Sequence, residues 1–65
     1  PKLEVHRPSL GRPLLCDADP AVIAVASDEP LALPRAMPWF DLHDIPAICQ
    51  YVRRHARRGA GASGA

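Results

Sequence analysis

The sequence predicts a small, mostly irregular fold of the α(+β) class, with one C-terminal amphipathic helix and one or two short extended segments. Three observations lead to this expectation. The chain has 65 residues, which allows one small domain at most. Its eight prolines and four glycines interrupt regular elements over most of its length. The longest stretch without either residue is 47–58, and it lies in the predicted helix.

The material for a hydrophobic core is thin. Apolar residues make up 48% of the chain, but eleven of them are alanines, which bury little area. In a chain of this size a single core seldom contributes more than ~3–5 kcal/mol to the free energy of unfolding. A disulfide, a structural metal or a partner is therefore usually needed. We expect residues 1–58 to form a single small domain or subunit and residues 59–65 to form a flexible Gly/Ala/Ser tail.

Two extended segments are expected in the first half of the chain. Residues 2–6 alternate polar and apolar side chains, which is typical of a half-buried strand. Residues 21–26 are all apolar, so periodicity does not distinguish strand from helix there. Three of these six residues are β-branched, which favours a strand. The preceding pair Asp19-Pro20 would also suit the start of a short helix, so that alternative stays open.

A proline-rich strap is predicted over residues 30–38. Pro30, Pro34 and Pro38 recur every four residues. Proline fixes φ and favours an extended conformation in the residue before it. Because prolines lack N–H donors, this strap is not expected to pair in a central sheet. It should therefore lie over an apolar surface, either of this chain or of another protein.

One amphipathic helix is predicted at about residues 44–58. Asp44 is a suitable N-cap, Pro46 is tolerated in the first turn, and Gly59 is the first breaker after them. At ~100° per residue, the apolar side chains fall within one stripe along this helix. The stripe consists of Ile45, Ile48, Cys49, Val52 and Ala56.

Charge is distributed unevenly, although the formal net charge is only +1. The middle of the chain is acidic, and both ends are basic. The strongest basic feature lies near the end of the predicted helix and consists of Arg53, Arg54, Arg57 and Arg58. Helix-dipole matching explains such a cluster, while like charges four residues apart favour an anionic partner. We predict that these arginines face solvent or an acidic protein surface.

No residue pattern predicts catalysis or a cofactor site. His43 lies between Asp41 and Asp44, an arrangement compatible with acid/base chemistry but also with an ordinary capping turn. The sequence contains no recognisable nucleophile elbow and no glycine-rich phosphate loop. We therefore expect a protein that is not an enzyme, with no catalytic residues and no cofactor.

The cysteines and histidines predict no metal site. No two of them are two to five residues apart, so the usual chelating pairs are missing. No segment resembles a secretory signal, and no apolar run is long enough to span a membrane. We expect a cytoplasmic protein with no membrane partner, in which Cys16 and Cys49 are reduced and buried. A disulfide between the two thiols is the alternative.

These observations predict a non-catalytic accessory subunit, or an interaction segment, that wraps on a larger protein assembly. An extended chain covers much partner surface per residue, although ordering it costs entropy. One alternative is a small nucleic-acid-binding or regulatory protein that uses the basic helix end. Another is a minimal domain stapled by a Cys/His metal site or a disulfide. The predicted partner-binding residues are Met37, Trp39, Phe40, Ile45, Ile48 and Val52.

Overall fold

In the computed structural model, the chain forms a three-stranded parallel sheet followed by one helix. The structure describes the backbone of residues 1–64 and the side chains of residues 1–56. In chain order, the regular elements are β1 (Lys2–His6), a short 3-10 helix (Pro8–Leu10), β2 (Val22–Ser27), β3 (Trp39–Asp41) and α1 (Ile45–Gly64).

The prediction of a mixed α and β fold with one helix is confirmed, but the expectation of a mostly irregular chain is not. More than half of the residues lie in strands and helices. The physical reason is the placement of the prolines, since all eight lie outside the three strands. Pro46 lies in the first turn of α1, where its missing N–H would have no partner in any case.

The sheet has the strand order β1-β2-β3, so the chain-central strand is also the middle strand of the sheet. Residues paired in register share a face of a parallel sheet. One face, called the helix face here, carries Val5, Ala26 and Phe40, and the opposite loop face carries Glu4, Val25 and Trp39. A local irregularity between Lys2 and Leu3 shifts the register at the start of β1.

The middle strand β2 is the most buried element. Ala24, Val25, Ala26 and Ser27 expose none of their surface. A strand that is covered on both faces of a parallel sheet is expected to be apolar at every position. This explains why residues 21–26 lack an alternating pattern, and it confirms the strand that their β-branched residues favoured.

The hydrophobic core lies on the loop face of the sheet. Cys16, Val22 and Val25 form its buried centre. Leu33 and Met37, which belong to the connection between β2 and β3, pack against this centre. Residues 30–38 therefore cover an apolar surface of their own chain. They contain no strand or helix, and their extended conformation stays a prediction.

The start of α1 follows the sequence prediction. The Asp44 carboxylate accepts a hydrogen bond from the Ala47 backbone N–H at 3.3 Å, as an N-cap does. The helix extends to Gly64, past the predicted end near residue 58. A helical glycine costs about 1 kcal/mol relative to alanine, far less than the cost of a proline. The flexibility predicted for 59–65 stays a prediction, because it falls on residues whose side chains lie outside the described part.

The side of α1 that meets the sheet differs from the predicted apolar stripe. Tyr51 packs against Phe40 on the helix face, with ring centroids 5.1 Å apart. Its hydroxyl lies 3.5 Å from the carbonyl oxygen of Ile23 in β2. By contrast, Ile45 and Val52 are 57% and 50% exposed. The helix is thus rotated so that an aromatic residue contacts the sheet while part of the aliphatic stripe faces outward.

Candidate interaction surfaces

The apolar helix surface, defined by Ile45, Cys49 and Val52, is exposed along α1. These residues follow one another at intervals of four and three, which keeps them on one side of a helix. Ile48, the fourth large residue of the predicted stripe, is only half-buried. Two predicted partner-binding residues, Ile45 and Val52, therefore expose at least half of their surface to solvent.

The other three predicted partner-binding residues take part in contacts within the chain. Met37 packs against the core of the loop face, and Phe40 packs against Tyr51 on the helix face. Trp39 is 39% exposed. Its indole N–H donates a hydrogen bond to the buried Ser27 hydroxyl at 2.7 Å, which fixes the ring on the sheet. The structure thus separates these three residues from the apolar helix surface.

The basic end of α1 is exposed where the structure describes it. Arg53 and Arg54 both face solvent. Neither pairs with an acidic side chain among residues 1–56. The predictions for Arg57 and Arg58 fall on side chains outside the described residues. The exposed pair makes this end of the helix positively charged.

A groove of about 290 Å³ runs between β1 and α1. This β1–α1 groove is mainly apolar, and its lining includes Lys2, Leu3, Ile23, Tyr51, Val52 and Ala56. Sequence reasoning missed it, because its walls come from opposite ends of the chain. Both Lys2-Leu3 and the helix were recognised separately, but only the tertiary fold brings them together.

Arg35 forms a polar clamp that sequence reasoning also missed. Its Nη2 atom lies 3.2, 3.0 and 2.6 Å from the carbonyl oxygens of Cys16, Asp19 and Val22. The clamp joins the strap to the turn that leads into β2. The only available signal was that Arg35 is the one cation in the acidic segment 17–44.

The cluster of Asp41, His43 and Asp44 forms a turn followed by a helix cap. The Asp41 carboxylate accepts a hydrogen bond from the His43 backbone N–H at 2.9 Å. The same carboxylate oxygen lies 3.1 Å from the Nδ1 atom of the His43 ring. These bonds hold the pKa of Asp41 below its ordinary value. The groups are largely exposed. Asp44 caps α1, so the geometry matches the capping interpretation of this cluster.

The potential metal-binding side chains do not converge in the described region. Among residues 1–56, no three histidine, cysteine or acidic side chains form a group with metal-binding geometry. In the same part of the chain, no helix combines the length and the apolar character that crossing a membrane requires.

The two thiols lie in different environments and are both free. Cys16 is fully buried in the loop-face core, and this burial raises the pKa of its thiol. The nearby Glu4 carboxylate raises that pKa further, whereas the Arg35 guanidinium lowers it. Cys49 is exposed, so the expectation that it is buried is wrong. The rotation of α1 places it on the outward side of the helix.

This difference predicts a two-step reaction with a thiol reagent. We expect iodoacetamide to modify Cys49 quickly in the folded chain, while Cys16 is at least tenfold slower, because only a thiolate in contact with solvent reacts. Mass spectrometry of digested time points measures both rates. A Cys49→Ser variant that still reacts quickly under native conditions would contradict the burial of Cys16.

No protein-family model matches this chain, and neither a curated protein nor a solved structure matches it. Any functional assignment therefore depends on the surfaces described above.

Proposed function

We propose that this chain is a non-catalytic accessory subunit, or an interaction segment, that docks on a larger protein. The observation that carries the proposal is the outward rotation of α1. This rotation leaves Ile45 57% exposed and Val52 50% exposed. Contiguous apolar surface on a small protein commonly marks a place where another molecule binds. The apolar helix surface is thus the proposed contact.

The charge beside this surface supports a proposal about the chemistry of the partner. Arg53 is exposed and follows Val52 in the sequence of α1, at the border of the apolar helix surface. A complementary surface would be apolar at its centre and acidic at the rim that meets Arg53, because opposite potentials favour encounter and fix orientation. The proposed partner is therefore a protein surface with an apolar patch and acidic residues along one border.

The small core gives further support. Among residues 1–56, the buried apolar residues are Cys16, Val22, Ala24, Val25 and Ala26, none of them larger than valine. Such a core stabilises a chain only weakly. Apolar area buried against a partner would add to the stability of the folded state, since a ligand that binds only this state shifts the folding equilibrium.

The test begins with affinity capture of the tagged chain and mass spectrometry of stoichiometric partners. Each candidate is then purified, and its Kd for the chain is measured by calorimetry. We expect Val52→Glu to weaken binding at least 30-fold, which corresponds to about 2 kcal/mol and is typical of a central contact.

The matched control is Gln50→Glu, which adds the same charge at an exposed position of α1. This variant should bind within threefold of the parent chain. Circular dichroism establishes that both variants keep their helix. Equal binding by Val52→Glu and the parent chain would remove the apolar helix surface from the interaction.

The exposed arginines also support a second candidate, a small nucleic-acid-binding or regulatory protein. Phosphate contacts make such binding strongly dependent on salt concentration. Fluorescence anisotropy with labelled duplex and single-stranded DNA at physiological salt separates the two candidates. Tight binding that is lost in an Arg53→Glu, Arg54→Glu double variant would favour the nucleic-acid candidate over the accessory subunit.

A further inference from the structure

The strand β1 lies at an edge of the sheet, with β2 on one side only. The Lys2 N–H donates to the carbonyl oxygen of Ala21 at 2.7 Å, and the His6 carbonyl accepts from the Asp28 N–H at 3.3 Å. Residues 2 and 6 therefore direct backbone groups toward β2. Because backbone direction alternates along a strand, Leu3 and Val5 direct their N–H and C=O groups outward.

Within β1 itself, no side chain gives this edge the protection that edge strands commonly have. Natural proteins often block an edge with charged side chains or with proline. On β1, Lys2 instead forms an ion pair with Asp19 at 2.9 Å. The Glu4 carboxylate accepts a hydrogen bond from the Leu15 backbone N–H at 2.8 Å. Both charged side chains are thus held by their own chain.

The apolar surface next to this edge is incompletely covered. Val5 lies on the helix face and is 51% exposed. Leu3 lines the β1–α1 groove together with Val52 of the helix. Parallel sheets normally have both faces covered, so an exposed apolar position beside an open edge is unusual in this sheet class.

We infer that the outer edge of β1 accepts one additional β-strand from an extended polypeptide segment. Its backbone would pair with the outward N–H and C=O groups of Leu3 and Val5. One face of that strand would place an apolar side chain in the β1–α1 groove. This mode is β-augmentation, in which backbone bonds supply affinity and pockets for alternate side chains supply specificity.

The inference says how a partner would bind, by adding a strand to β1, and in that respect it rests on the proposed function. Its probe, however, is a synthetic peptide of nine residues in which valine and threonine alternate and each end carries a glutamate. The control peptide has the same sequence except for a proline in place of its central residue. The two peptides separate strand pairing from unspecific contact, because a central proline removes a ladder hydrogen bond.

The first measurement is amide hydrogen exchange of the whole chain by NMR. In the free chain, the Leu3 and Val5 amides should exchange quickly, because neither has a partner on the outer side of β1 among the described residues. Saturating peptide should slow both at least tenfold, and the control peptide should not. Unchanged exchange at both amides under saturation would overturn the inference. Protection that instead rises with chain concentration alone would also overturn it, in favour of a second copy of this chain.

The second measurement uses Val5→Pro, which removes an outward N–H and leaves the bonds between β1 and β2 in place. Proline is tolerated in edge strands when its nitrogen faces outward. We expect this variant to keep the circular dichroism of the parent chain and to bind the peptide at least tenfold more weakly. Val5→Thr, which restores the N–H and a β-branched side chain, should bind within threefold. Equal binding by Val5→Pro and Val5→Thr would contradict strand addition.

Failure of this inference and failure of the proposed function give different results. If the peptide pairs with β1 but no protein partner is found that depends on Val52, the proposed function fails alone. If a purified partner binds Val5→Pro as tightly as the parent chain, the strand inference fails alone.

Discussion

Replacement of Arg35 by alanine should lower the free energy of unfolding by about 1.5–3 kcal/mol, the range for hydrogen bonds made by a charged donor. The Nη2 atom of Arg35 lies within 3.2 Å of the carbonyl oxygens of Cys16, Asp19 and Val22. Truncation leaves the partly buried carbonyls of Cys16 and Val22 without this donor. It also detaches the strap from the turn before β2, so the loss should reach the core of the loop face.

Urea titration followed by circular dichroism measures this effect. Arg35→Lys should restore only part of the stability, because an ammonium group does not reproduce the planar geometry of a guanidinium. Arg12→Ala is the matched control, since it removes an arginine from another exposed position. Unfolding midpoints that coincide for Arg35→Ala and Arg12→Ala would show that the clamp does not stabilise the fold.

The isolated chain should have a free energy of unfolding below about 5 kcal/mol, the lower end of the range for natural domains. Its thermal midpoint should lie below about 45 °C, where those of mesophilic domains begin. The reason is the size of the core, since the largest fully buried apolar side chain in the described part of the chain is that of Val25. Because Ile45 and Val52 are exposed, they contribute little to the free energy of unfolding unless a partner covers them.

A thermal melt with a measured hydrodynamic radius tests this expectation. At a concentration 100 times its Kd, a partner should stabilise the folded chain by about 2.7 kcal/mol. A compact monomer with a sharp transition above about 65 °C would instead identify an autonomous small domain. That outcome would remove the main energetic reason for assigning a partner to the apolar helix surface.

Elements with a local signal were predictable. The alternation in residues 2–6 predicted β1, the β-branched residues of 21–26 predicted β2, and Asp44 predicted the start of α1. Strand β3 was not predicted, because its three residues are too few to display a period. It is defined by pairing with β2, where Trp39 aligns with Val25. Such pairing depends on the path of residues 28–38, which local propensity does not specify.

The orientation of α1 illustrates the same limit. Periodicity identified the apolar stripe but not which side of the helix would contact the sheet. The contact between Tyr51 and Phe40 determines that side, and Tyr51 does not belong to the predicted apolar stripe. The Arg35 clamp and the β1–α1 groove likewise combine residues from distant parts of the chain. The predicted anchors Met37 and Phe40 were recognisable as apolar residues, but their use within the chain was not predicted.

The parallel order of the three strands also has a consequence for the folding rate. No two strands are joined by a tight turn, so none forms a hairpin that could nucleate the sheet. The loop of residues 7–21 must close before β1 can pair with β2. The loop of residues 28–38 must close before β3 can pair with β2. Closing these loops costs entropy before the pairing compensates for it. We therefore expect the helix to form early and the sheet to form late, in one slow step whose rate falls when either connection is lengthened.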